Sequence, residues 1–139
     1  MFVVIQYKKV IKGIIMFFLK SGGQKFVDRG DPQFNDFDTG DFTKDNAWYE
    51  LDLSSIVPLG TSLVLLRVRI MSDNASADFS LRKKGNTYTT NKAHVSPGVT
   101  MQSVEYDCHV SVDADGKCEY KCSSHTFQVL NVAVRGWFK

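Results

Sequence analysis

Apolar and polar positions alternate with a period of two along most of the chain, most clearly over residues 62–71, Ser-Leu-Val-Leu-Leu-Arg-Val-Arg-Ile-Met. This run is too rich in β-branched residues to favour a helix and long enough for one strand. Val64, Leu66, Val68 and Ile70 share one face, which is wholly apolar. Leu63, Leu65, Arg67, Arg69 and Met71 share the other, which starts apolar and turns cationic. That pattern predicts a central strand, covered at one end and opening to solvent at the other.

Similar text surrounds it. Residues 48–53 place Tyr49, Leu51 and Leu53 on one face and Trp48, Glu50 and Asp52 on the other, as a half-buried strand does. Pro58-Leu59-Gly60 turns the chain, Asp73-Asn74-Ala75 turns it again, and Ala77, Phe79 and Leu81 point inward along the next strand. Lys84-Gly85-Asn86 is a tight turn, residues 87–91 read as a polar edge strand, and Ser96-Pro97-Gly98 is a loop. Residues 106–122 read as a hairpin closed by Asp113-Ala114-Asp115-Gly116-Lys117, a type I turn with Gly116 left-handed. In that register Cys108 stands opposite Cys122. Cys108, Val110, Val112, Cys118, Tyr120 and Cys122 share the apolar face. Residues 126–138 are apolar on both faces, which predicts a central strand or one at a subunit contact. No convincing helix follows residue 20. Short strands with regularly spaced turns predict an all-β fold, an antiparallel β-sandwich of jelly-roll type.

Residues 1–23 are different in kind. Phe2, Val4, Ile14, Ile15, Phe17, Phe18 and Leu19 make the segment apolar, but Lys8, Lys9 and Lys12 break it too often for a bilayer span. Its charge does not come first, and Lys20-Ser21-Gly22-Gly23 is a poor cleavage site, so a secretory signal is disfavoured. Ser21-Gly22-Gly23 is a flexible joint, and the sandwich domain is expected over residues 24–139. The apolar leader is expected to dock on the domain or a neighbouring subunit, with membrane or signal behaviour and a mis-called start as the alternatives. Residues 25–45 carry six aspartates among Phe26, Phe34, Phe37 and Phe42. They read as an extended arm over the sheet, rings inserted and carboxylates in water.

Composition removes several function classes. With 43% hydrophobic and 12% aromatic residues the chain is not disordered, and at a net charge of +2 bulk electrostatics give no case for nucleic-acid binding. Arg67, Arg69, Arg82, Lys83 and Lys84 could form one basic band across neighbouring strands, but a solvated sheet face is the simpler reading. Three cysteines are too few for a disulfide scaffold. Cys108 and Cys122 are a candidate cross-strand pair, and reduced core thiols are the simpler reading. Asp36, Asp38 and Asp41 around Gly40 are weak candidates for a calcium loop, which lacks its closing Glu. Arg29-Gly30-Asp31 spells an adhesion tripeptide, a pattern that also arises by chance. His94, His109 and His125 stand in no nucleophile setting, and no phosphate loop or nucleophile elbow occurs. No enzyme activity and no cofactor are expected. Trp48 and Tyr88 are candidates for stacking on a sugar ring.

The blocks Val27-Asp28-Arg29-Gly30-Asp31-Pro32, Gly40-Asp41-Phe42, Trp48-Tyr49-Glu50-Leu51-Asp52-Leu53-Ser54-Ser55-Ile56-Val57-Pro58, Val64-Leu65-Leu66-Arg67-Val68, Leu81-Arg82-Lys83-Lys84-Gly85-Asn86 and Val132-Ala133-Val134-Arg135-Gly136-Trp137-Phe138 together resemble a family of small, largely uncharacterised β-sandwich proteins of phage and environmental prokaryotes. The resemblance spans about residues 25–139. It implies a structural part of a virion or an extracellular assembly, such as a tail, fibre or decoration module, that oligomerises with itself or with other virion proteins. It brings no catalytic or binding residues, and residues 1–20 and the cysteines depart from it. Two alternatives stand beside this reading: a carbohydrate- or receptor-binding module that meets a cell-surface glycan, and a surface protein tethered to a membrane by residues 1–20.

Overall fold

The structure, a computed structural model, describes residues 22–139. Eight strands run in the order β1 Phe26–Asp28, β2 Trp48–Asp52, β3 Leu63–Ser72, β4 Phe79–Lys83, β5 Ala93–Val95, β6 Val104–Ser111, β7 Lys117–Cys122 and β8 Phe127–Phe138, with a 3-10 turn at Thr39–Asp41. They form two antiparallel four-stranded sheets, β1-β8-β3-β6 and β2-β7-β4-β5. Every pairing joins strands far apart in sequence except β4 with β5, which is the winding of a jelly roll.

The period-two pattern explains why the sheets stack. Val64, Leu66, Val68 and Ile70 of β3 are fully buried, and Leu51, Phe79 and Leu81 face them from the other sheet. Each such side chain contributes about 1.5–3 kcal/mol by leaving water. An aromatic group closes one end of the core. The Phe42 ring meets Phe79 at 5.3 Å and Tyr120 at 5.0 Å, edge-on in both cases. The Tyr120 hydroxyl accepts the backbone N–H of Thr43 at 3.0 Å, so its burial leaves no polar atom unmatched.

Three readings need correction, and the two-faced apolarity of β8 finds its cause. The hairpin over residues 106–122 does not form as a pair, because β6 belongs to one sheet and β7 to the other. Its turn is local and real: Asp113 N–H donates to the Lys117 carbonyl at 2.9 Å, and Gly116 sits at φ +78°. Beyond it the strands part and face each other across the core. Cys108 therefore stands opposite Leu66, and Cys122 opposite Phe79, so the candidate pair Cys108–Cys122 is not formed and the thiols are free. Residues 87–91 form no strand, and the edge of that sheet is β5. The two-faced apolarity of β8 comes from two register shifts against β3, at Leu65/Leu66 and Met71/Ser72. A bulge reverses which face the following residues occupy. Phe127 is buried and Trp137 packs against the core, while Leu130, Val132 and Val134 fill its middle. The central position of β8, between β1 and β3, was the expected one. Last, Arg67 and Arg69 lie on β3 whereas Arg82 lies on β4 of the opposite sheet, so no single basic band exists.

Candidate functional site

A cleft of about 850 Å³ lies on the outer face of the β1-β8-β3-β6 sheet. The residues that face away from the core build its floor: Leu65 and Arg67 from β3, Glu105 and Asp107 from β6, Ala133 and Arg135 from β8. Leu65 and Ala133 keep the centre of the floor low, and the charged side chains rise around them. Phe26 and residues 30–35 form the wall.

That wall is held by the chain after β1. Arg29 N–H donates to the Arg135 carbonyl at 3.0 Å, and the N–H groups of Asp36 and Phe37 share the Val132 carbonyl. Residues 29–37 thus run along the free edge of β8 and are fastened at both ends. Between these anchors Asp28 accepts the N–H of Gly30, which turns at φ +89°. The Arg29 guanidinium pairs with Asp36, whose carboxylate also accepts the Val134 N–H at 2.7 Å. Asp36 is only 8% exposed, so this carboxylate is not in water as the sequence suggested. Fixing both ends of a short Pro-containing loop presents its middle outward, and Phe34 is 75% exposed.

The polar groups of the floor are arranged in pairs. Arg135 donates to both oxygens of Asp107, at 2.7 and 3.0 Å, across the intervening strand β3. The hydrogen bond to Asp107 raises the Arg135 pKa, so the guanidinium stays charged. Arg67 donates to the Asn35 side-chain carbonyl at 2.7 Å and lies 3.7 Å from Glu105, while its Nε is buried without a partner. Each pair fixes the orientation of side chains that keep further donor or acceptor positions unused.

The residues singled out from sequence fall elsewhere. Trp48 lies on the outer face of the second sheet with the Arg82 guanidinium 4.0 Å from its ring centre and Lys121 at 5.5 Å, so cations already cover it. Tyr88 is 84% exposed in the β4–β5 connection, away from the cleft. Asp36, Asp38 and Asp41 take separate tasks: Asp36 holds Arg29, while Asp41 accepts the backbone N–H of Asp38. Among the described residues no group of three or more His, Cys, Asp or Glu side chains could hold a metal ion. Arg29 of the adhesion-like tripeptide is turned inward. His94 contacts the buried Ser80 hydroxyl at 3.2 Å, and His125 that of Ser123 at 3.0 Å. Phe2, Val4, Ile14, Ile15, Phe17, Phe18 and Leu19 lie outside the described residues. Sequence reasoning missed Phe34, Arg135 and Asp107 as a group. The Pro and Gly around Phe34 signal a loop, but nothing marks that ring as turned outward.

No family model and no curated protein matches the chain. Among solved structures it is similar to a carbohydrate-binding module from Cellvibrio mixtus lichenase 5A, in complex with cellotriose. The identity is 13%, over 83% of this chain and 95% of that one, with a TM-score of 0.39. That is too distant a likeness to carry an argument about the site.

Proposed function

We propose that this protein is a non-catalytic binding module whose cleft on the β1-β8-β3-β6 sheet takes a neutral saccharide. The observation that carries the reading is the pairing of Arg135 with Asp107 and of Arg67 with Asn35 in the same cleft that the exposed Phe34 lines. A sugar hydroxyl both donates and accepts, and pre-paired carboxylate, amide and guanidinium groups offer both roles at fixed positions. The apolar C–H face of a pyranose needs a flat partner, which Phe34 provides at the rim. Asp28, Asp31, Asp38, Glu105 and Asp107 outnumber Arg67 and Arg135 around the cleft, which disfavours phosphate, sulfate or nucleic acid as ligand. A largely polar lining likewise disfavours a lipid. Saccharides of this kind are met at cell surfaces, so an extracellular or virion-borne setting suits the module. The virion role itself rests on the family resemblance alone.

The test is a panel of neutral and acidic oligosaccharides titrated against the chain and against Phe34→Ala and Asp107→Asn. Saturable binding of a neutral member, weakened in both variants, supports the reading. Binding that ignores both substitutions, or a preference for acidic members, overturns it.

A further inference from the structure

The two ion pairs in the cleft floor are not alike. Arg135 closes on Asp107 with contacts of 2.7 and 3.0 Å to the two carboxylate oxygens, which leaves no room for an atom between them. Arg67 and Glu105 stand open. Nη1 of Arg67 lies 3.7 Å from the Glu105 carboxylate, beyond hydrogen-bond reach.

The surroundings hold that gap in place. Arg67 Nη2 donates to the Asn35 side-chain carbonyl at 2.7 Å, and the Asn35 amide nitrogen donates onward to Asp38 at 3.4 Å. The guanidinium is thereby pinned toward the loop over residues 29–37, which is itself fastened to β8. On the other side Arg69 stands directly opposite Glu105 in the register of β3 and β6, but it donates to the Ser103 hydroxyl at 2.8 Å instead. Among the described residues Arg67 is therefore the one cation near Glu105, whose side chain is 52% exposed. Ala133 is the β8 neighbour of Arg67 and projects only a methyl group, so the floor beside the pair stays low. Phe34, next to Asn35 in the chain, lines the same cleft.

A fixed donor and a fixed acceptor with an unfilled gap between them suit a group that accepts and donates at once. Among the oxygen functions of a saccharide, a free hydroxyl does both. An ether oxygen accepts from Arg67 but gives nothing to Glu105, and a carboxylate is repelled by it. We propose that Arg67 and Glu105 determine the specificity of the cleft by reading one free hydroxyl of the saccharide, which accepts from Nη1 and donates to the carboxylate. This rests on the saccharide reading above and names the pair that decides which sugar is taken.

NMR titration of the full chain tests it, with the methyl glycosides of glucose, galactose and mannose as probes. For the tightest of them, each hydroxyl in turn is replaced by hydrogen. One such derivative is expected to bind about tenfold more weakly than its parent glycoside. In Glu105→Ala the two should bind alike, the parent glycoside having fallen to the level of the derivative. Glu105→Gln keeps an acceptor oxygen and should retain most of the difference. Asp107→Asn should weaken both and preserve the ratio between them, because its pair is closed. Equal binding of all derivatives, no saturable binding of any glycoside, or unchanged discrimination in Glu105→Ala overturns the proposal. So does discrimination that vanishes in Asp107→Asn. If the neutral oligosaccharides bind while the derivatives are not distinguished, the hydroxyl pair fails and the cleft reading stands; if no saccharide binds, both fall.

Discussion

The ring of Phe26 lies across Gly136 so closely that a Cβ at that glycine would stand 2.4 Å from the ring's Cζ and 2.5 Å from the Val27 carbonyl. One of these neighbours is backbone and cannot yield. Gly136 is where β8 receives β1, opposite Asp28 in the antiparallel register, and the Phe26 ring rests 5.2 Å from that of Phe138. Gly136→Ala should force β1 off the sheet at a cost of about 1–3 kcal/mol. A drop in the thermal midpoint and faster proteolysis near residue 28 would register it, and an unchanged midpoint would refute the contact.

The Arg29–Asp36 pair should be worth more than an exposed ion pair. Asp36→Ala strips a half-buried guanidinium and the Val134 N–H of their acceptor, at a cost of about 2 kcal/mol in denaturant unfolding. Asp36→Asn, which keeps one acceptor oxygen, should recover part of it. If both variants unfold like the parent, the loop is not held as described.

Phe34 should behave in the opposite way. Its ring is already in water, so Phe34→Ala is expected to leave stability within about 0.5 kcal/mol. Saccharide affinity should fall about tenfold. A loss of stability instead would make the ring a packing residue.

The buried thiols predict a pH dependence. Burial pushes Cys108 up to about 11 and Cys118 and Cys122 up to about 12. The folded chain thus keeps protons that the unfolded chain gives up above about pH 8.5. Stability from this source is complete below that pH and is lost as pH rises toward 11–12. Thermal midpoints should fall between pH 9 and 11, and Cys118→Ala should flatten the slope. At pH 8 a maleimide should label none of the three in the native state. Rapid native labelling would contradict their burial.

The sequence disclosed which side of each strand is wet far better than it disclosed its neighbours. The faces of β2, β3, β4, β6 and β7 follow from alternation, because burial on one side imposes period two whatever lies alongside. Adjacency has no such signature. The Asp113–Lys117 turn has the same local hydrogen bonds whether its flanking strands pair or part into separate sheets, so Cys108 and Cys122 were set side by side when they belong to different sheets. The two shifts in β8 were hidden for a related reason: each moves one residue, and the resulting apolarity of both faces imitates an uncovered strand. In the cleft, Arg67 was recognisably outward-facing. Phe34 was not, since aromatic residues in a loop read alike whether they enter the core like Phe42 or leave it.

The first and last strands also decide how the domain bears force. Lys25 and Lys139 exchange N–H···O=C bonds at 3.1 Å in both directions, so the chain enters β1 and leaves β8 at one corner, side by side. Tension applied between them opens β1 from β8 like a zipper, loading one hydrogen bond at a time rather than shearing the row together. Under a pull applied between residues 25 and 139, that corner is expected to open before the rest of the sheet, which single-molecule stretching would check.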